Sequence, residues 1–509
     1  MKLDSQVLIS GAGPVGLTLA AFLKQNDVPF RLIDQRSGPV KESRALGVHA
    51  RTLELLKPLG LDREFIKLGR ITHDMHFHDQ KRKLFSLKFD CLKNDTPYPY
   101  YLILPQTTTE RVLIQHLAKQ GVEVEWNTSL SSFEQFDGHI SCQLTQDDKQ
   151  SSKRFRFLVG CDGANSLVRQ SLGIQFEGET YEALFSLAEV EISEPSIETN
   201  ATHVYMAPQT ACAVIPMPCG KYRIVGPNPD PSGISDFTHF QHFLDSQSLF
   251  SDVTLHSPNR VIDYKMHKRV ATQFSKQNVF ICGDAAHIHS PAGGQGMNTG
   301  MQDAINLAWK LAYVTRGTLP ERLLSSYSLE RRNVSKSVVK HTDQAMAFVS
   351  QRGLKTKLLT HFIYPLILKF YQPKSLIAAM AQLTTRYGKR STQIGQRFPW
   401  MKTVQGYSTL DFIDGKNWTL LTFGPQFKDT TTAREITHLL NGAIKQFHIF
   451  ENRYFKSAIS QTNPMPCYSM DIPKSWQNKA VLLRPDGYIY AVSDLENSTQ
   501  LVDSLKKWL

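Results

Sequence analysis

Val7-Leu8-Ile9 runs into Gly11-Ala12-Gly13-Pro14-Val15-Gly16, and from there into the apolar stretch Leu17 to Leu23. A short apolar strand, a glycine turn and a buried helix in that order make the first half of a β-α-β unit. Phe30-Arg31-Leu32-Ile33 supplies the second strand, which ends in Asp34. Gly11 permits the tight turn, Gly13 lets backbone approach a pyrophosphate, and Gly16 lets the helix pack on the strand. The phosphates then meet a helix N-terminus, where free N–H groups and the dipole favour negative charge. Asp34 is placed to accept hydrogen bonds from a ribose. Its charge would repel a 2′-phosphate, so the unit suits FAD or NAD rather than NADP.

Two later stretches work outward from that unit. Phe155-Arg156-Phe157-Leu158-Val159-Gly160-Cys161-Asp162-Gly163 reads as a strand ending in Asp-Gly, with a helix opening soon after. By itself this is a turn dipeptide. Gly283-Asp284-Ala285-Ala286-His287-Ile288-His289-Ser290-Pro291-Ala292-Gly293-Gly294-Gln295-Gly296-Met297-Asn298 follows the strand Val279–Cys282 and leads into an apolar helix. Asp284 at a strand end can accept hydrogen bonds from polyol hydroxyls. Gly293, Gly294 and Gly296 bring backbone N–H groups near a flat, electron-accepting ring, where they stabilise charge growing on it.

Composition narrows the remaining classes. The 509 residues suggest about three domains at ~150 residues each, and 41% hydrophobic residues allow a sizeable core. The +12 formal charge is scattered rather than blocked, which reads as a solvated surface. No helix-turn-helix, zinc or aromatic-platform signature supports nucleic-acid binding. Seven cysteines without a Cys-x-x-Cys pair argue against disulfides and a cysteine zinc site, and no metal is expected. Leu358 to Tyr371, the most apolar late stretch, carries His361, Pro365 and Lys369 and is too short to span a membrane. The N-terminus enters a strand at once, leaving no room for a signal peptide. A cytoplasmic protein is expected.

With all three motifs in this order, residues 5 to 345 resemble the single-component FAD monooxygenases, the group of p-hydroxybenzoate hydroxylase and phenol hydroxylase. The resemblance implies that Gly11, Gly13, Pro14, Val15, Gly16, Asp34, Gln35 and Arg36 hold the ADP half of FAD. Asp162 and Gly163 match a motif touching FAD and incoming NADPH. Asp284 matches the ribitol contact, and Gly294, Gln295, Gly296, Met297 and Asn298 the edge of the isoalloxazine. Ser43-Arg44-Ala45 through Arg51 is similar to the family's arginine segment, which sets Arg44, and Arg51 after it, beside the flavin. Leu104-Pro105-Gln106 resembles the element where a glutamine approaches the cofactor. Both arginines, taken alone, read equally as surface residues.

The same resemblance implies an α/β fold with an inserted sheet. The FAD-binding domain occupies 1–175 and returns at 276–398 with bracing helices, where Arg331-Arg332 are expected on a polar face. A mixed β-sheet substrate domain spans 176–275, with His203 and Tyr205 expected on the pocket wall. Residues 399–509 resemble a thioredoxin-like tail; without Cys-x-x-Cys they carry no dithiol chemistry. The implied reaction is hydroxylation of a small phenolic or polycyclic aromatic through a flavin C4a-hydroperoxide, with NADPH or NADH and molecular oxygen as co-substrates. Epoxidation, Baeyer–Villiger oxidation and a non-catalytic FAD scaffold stay open as alternatives. No residue has to act as acid or base; Arg44, Pro291 and His289 are the catalytic candidates, while His287 is expected to make a structural hydrogen bond. A homodimer is expected from the tail.

Overall fold

Val7, Leu8 and Ile9 are apolar on both faces of their strand, so Ser5–Ser10 must be covered on both sides, as inner parallel strands are. It lies between Phe30–Ile33 and Lys149–Gly160, all parallel, with Leu8 opposite Arg31 on one side and Leu158 on the other. Val279–Ile281 continues the parallel sheet, with Val159 opposite Phe280. The structure is a computed structural model. It describes residues 3–43, 45–79, 82–192, 197–207, 210–228, 255–256, 261–290, 293–350, 358–389, 391–425, 430–451 and 466–507. Helices Pro14–Gln25 and Gly296–Thr315 pack against each other, the second buried from Met297 to Val314. Glycine makes the approach possible: a Cβ at Gly300 would come within 2.7 Å of Val15 Cγ2 and 3.0 Å of the Gly283 Cα.

A second, nine-stranded sheet contains Phe176–Ile192, Val261–Ala271, Tyr222–Pro227, Thr210–Pro216 and Ala201–Ala207, inside the expected insertion. It also draws in Asp74–Asp79, Arg82–Lys88 and His287–Ile288 from outside 176–275. The reason is local alternation: Met75 and Phe77 give Asp74–Asp79 one apolar face, and the strand pairs parallel to Ala201–Ala207. The sheet has two distinct faces. Tyr205, Cys212, Val214, Tyr222 and Ile224 form a small cluster of their own. Met75, Val204 and Ile215, one residue out of phase, pack instead against the main core.

Residues beyond 399 form a five-stranded sheet in the order Cys467–Met470, Ile444–Glu451, Trp418–Phe423, Lys479–Leu483, Ile489–Asp494. The first three are parallel and the last two antiparallel, with helices Thr430–Leu439 and Thr499–Lys506. Trp418 meets Trp309 of the long helix edge-on, centroids 5.8 Å apart, a geometry that adds ~0.5–1.5 kcal/mol to the area buried.

One expectation is corrected. Arg331 is not on a polar face; it is fully buried and its Nε donates to Asp303 at 2.6 Å. The 26-residue helix Ser325–Ser350 turns Arg331 inward because the buried Asp303 carboxylate lies beneath it. The apolar stretch from Leu358 lies at the surface: one π-helical turn, Leu359–Ile363, and the helix Tyr364–Phe370 leave Phe362, Leu366 and Phe370 at 69%, 66% and 79% exposure. Among the described residues no helix is long and apolar enough to cross a membrane.

Candidate active site

The first glycine turn is pressed against the second motif. Gly11 has φ +107, and a Cβ there would lie 2.3 Å from the Cys161 carbonyl oxygen. At Gly16 a Cβ would lie 1.9 Å from the Gly11 carbonyl oxygen, whereas at Gly13 it would meet nothing within 4 Å. The backbone is thus crowded on its inner side and open at Gly13. Pro14 starts the helix and no side chain caps it, so first-turn N–H groups remain for an anion.

Asp34 closes this turn. Its Oδ2 accepts from the Ala12 N–H at 2.7 Å and its Oδ1 from the Arg36 N–H at 2.8 Å. Arg36 folds back on the same carboxylate through Nε and Nη2, at 3.0 and 2.9 Å, and lies over the Trp126 ring. Gln35 between them is exposed.

Asp162 accepts from the Val168 N–H at 3.1 Å through Oδ2, while Oδ1 is buried without a partner. Burial raises its carboxyl above the usual range. Beside it, Gly163 has φ +78 and open space where a side chain would stand. Asp284 is exposed at the turn Gly283–Ala285.

The third motif is tied to the short strand Gly47–Val48 by one side chain. Asn298 accepts from the His49 N–H at 2.9 Å and donates to the carbonyls of Gly47 and Gly294 at 2.8 and 2.9 Å. Tyr101 fills the gap: a Cβ at Gly47 or Gly294 would come within 1.6 or 2.1 Å of its hydroxyl. His49 Nε2 lies 2.8 Å from the Gly293 carbonyl, and its Nδ1 is buried without a partner. His289 likewise bonds the Ser290 carbonyl through Nδ1 and leaves Nε2 unpartnered, near Gly296. Burial lowers both imidazoles to about 4, so both are neutral at physiological pH. His287 bonds Asp303 at 2.7 Å, a structural contact.

Gln106 opens its helix and is held to the preceding loop: its N–H donates to Ser43 Oγ and its Oε1 accepts from Ala45. Its Nε2 donates to Glu110, whose buried carboxyl is pushed up by desolvation. Arg44 and Pro291 lie outside the described residues. Arg51 is buried against Glu54 and the Asp486 carbonyl, in the contact with the tail. His203 and Tyr205 need correction. Register puts them in the small cluster with Val214 and Cys212, with His203 bonded to His78, on the face turned away from the main core. A one-residue phase difference decides the face of a strand, and sequence alternation does not say which phase looks inward. Tyr101, His49 and Arg223 were missed: His49 lies within the arginine segment but was not singled out, while Tyr101 and Arg223 sit in no motif and only packing places them. Among the described residues no group of three His, Cys, Asp or Glu side chains could hold a metal.

An open glycine at a helix start, a buried carboxylate with one unpartnered oxygen and a second glycine-rich helix start fit an extended flavin dinucleotide. A nucleotide-binding layer with a second sheet over one end defines a dinucleotide-dependent oxidoreductase. The chain belongs to the FAD binding domain family, matched over residues 4–342, and is an FAD-dependent monooxygenase. It is 37% identical over 351 residues to a 6-methylpretetramide 4-monooxygenase of Streptomyces rimosus, a match covering 68% of this chain and 63% of that protein. Pentachlorophenol 4-monooxygenase of Sphingobium chlorophenolicum is 29% identical over 99% of this chain and 97% of its own. The structure of an anhydrotetracycline hydroxylase from Streptomyces rimosus superposes with a TM-score of 0.78 at 27% identity, covering 99% of both chains.

Proposed function

We propose that the chain inserts one oxygen atom into a phenolic or polycyclic aromatic substrate, consuming molecular oxygen and NADPH or NADH. The observation that carries this reading is the inner face of the second sheet. Met75, Val204 and Ile215 on it pack on the same core as Tyr101, which abuts the Gly294 turn. Arg70 ties the two layers, its Nε donating to the Met217 carbonyl at 2.9 Å. Such a cover excludes bulk water from an aromatic ring held beneath it. Bound FAD supplies the redox chemistry, taking two electrons from the nicotinamide and delivering one oxygen atom of O2 to the ring while the other leaves as water. The relatives named for pentachlorophenol, 6-methylpretetramide and anhydrotetracycline support an aromatic substrate.

In this reading Gly11, Gly13, Pro14, Val15 and Gly16 receive the pyrophosphate, with Asp34, Gln35 and Arg36 at the adenosine end. Asp162, Gly163 and Asp284 line the middle of the cofactor. Gly294, Gln295, Gly296, Met297 and Asn298 present a helix start to its ring, with Gln106 alongside. His289 borders the reacting end as a neutral imidazole. The purified holoenzyme tests this with a panel of phenols, naphthols and polycyclic phenols. Accelerated NADPH loss with little peroxide, and labelled oxygen from O2 in the product, is expected; FAD binding without NADPH consumption for any compound would leave only the scaffold reading.

We further infer a cytoplasmic homodimer. The exposed row Phe362, Leu366 and Phe370 supports a subunit contact, and sedimentation at monomer mass would overturn it. The strand order of the tail supports the thioredoxin-like reading, with a structural role.

A further inference from the structure

Strand Tyr222–Pro227 sets Arg223 opposite Glu189 on one neighbour and Ile215 on the other, on the inner face of the second sheet. Its side chain is 1% exposed. Nη2 donates to Glu189, whose own side chain is 38% exposed, whereas Nε and Nη1 are buried with no partner. A guanidinium does not escape burial by losing its proton. Two nitrogens of a fully charged group are therefore left buried without a partner, with one rim carboxylate as counter-ion, an arrangement that favours binding a further anion. The charge acts on two buried phenol side chains: Tyr264, on the same sheet face opposite Phe185, and Tyr101, which touches the Gly294 turn. The cation thus lies on the sheet face that the hydroxylase reading sets over the aromatic substrate.

We propose that Arg223 anchors an anionic oxygen of the substrate, a phenolate or an enolate, so that the site selects ionised aromatics over neutral analogues. This rests on the hydroxylase reading above and deepens it. A phenolate pushes electron density onto its ortho and para carbons, the positions an electrophilic oxygen attacks. The unpartnered N–H groups stabilise that ionised form, and Glu189 limits the attraction by holding the third nitrogen.

The test is equilibrium binding to the FAD-loaded enzyme, followed by the visible flavin spectrum, with pentachlorophenol and its methyl ether as probes. Wild type should prefer the phenol by about tenfold to a hundredfold, as charge-assisted hydrogen bonds imply. Arg223→Gln should abolish the preference while FAD content and melting temperature hold, and Arg223→Lys should keep part of it. Glu189→Gln, at a half-exposed position, should tighten phenol binding and leave ether binding unchanged, which keeps the test alive should Arg223→Gln fail to fold. Equal binding of both probes by wild type, binding of neither, or an unchanged preference in Arg223→Gln or Glu189→Gln overturns the anchor. Phenol preference without any NADPH-dependent oxygen incorporation would overturn the hydroxylase reading and leave the anion site standing.

Discussion

Arg484 of the tail and Glu330 of the helix Ser325–Ser350 close on each other through two hydrogen bonds, 2.7 Å from Nη1 to Oε1 and 3.1 Å from Nη2 to Oε2. Lys310 joins the same carboxylate at 2.9 Å, and Asp486 balances Arg484 at 2.5 Å. Two cations and two anions are thereby buried together where the tail meets the long helix behind the third motif. Arg397 adds a second tie, donating to the buried Glu54.

Removing one member should leave a charge unpaired. Glu330→Gln is expected to cost ~3–5 kcal/mol of unfolding free energy, the range for breaking a buried pair. Urea denaturation measures it; a loss near zero would mean that the cluster is hydrated.

Acid should weaken the fold in two stages. Burial lowers His49, His78, His289 and His448 to about 4, so the unfolded chain binds protons first and stability falls as pH drops below 6.5 toward 4. Burial alone would raise the Glu330 carboxyl, but Arg484 and Lys310 overcome it and hold it at about 2. Its contribution is complete above pH 4.5 and disappears as pH falls through about 2. Melting temperature against pH at constant FAD should decline from near pH 6.5 and steepen below 4.5.

The glycines of the first turn should separate folding from cofactor binding. Gly13→Ala meets no protein atom within 4 Å, so the apoprotein should keep its stability within about 0.5 kcal/mol while FAD is lost on purification. Gly16→Ala drives a methyl into the Gly11 carbonyl and should lower the yield of folded protein itself. Equal FAD retention in Gly13→Ala and wild type would remove the pyrophosphate from this turn.

Asp34→Ala frees the Ala12 N–H and releases Arg36. The expected result is weaker FAD binding by about tenfold to a hundredfold, from hydrogen bonds to a charged group. Flavin fluorescence titration reads it directly.

Tyr205 belongs to the outer cluster, stacked on His78 with centroids 4.6 Å apart. Tyr205→Phe should cost ~1 kcal/mol of stability at most and leave KM for the aromatic substrate unchanged. A large rise in KM would return this residue to the pocket wall.

Most of the cofactor-binding half was readable in advance because its chemistry is backbone chemistry. Glycines at fixed spacing, an acid at a strand end and a helix after each turn specify the geometry locally, and Val7–Ser10, Phe30–Ile33 and Val279–Ile281 stand where the residue pattern puts them. Asp162 keeps one buried oxygen without a partner, and Asn298 ties the third motif to Gly47 and His49 through its hydrogen bonds. The second sheet was legible as strands but not as a surface. Alternation along Ala201–Ala207 gives two equivalent phases, and only contact with the core selects Val204 over His203 and Tyr205.

The sequence by itself determined the nucleotide fold, because turn, helix start and terminal acid lie within a few residues of one another and need no distant partner. Tertiary structure alone decided which side chains meet across the site. Arg223 and Tyr101 are separated by more than a hundred residues, and Arg331 is buried only because Asp303 waits beneath it. Burial of a charge depends on what packs above it, and no local pattern of residues records that.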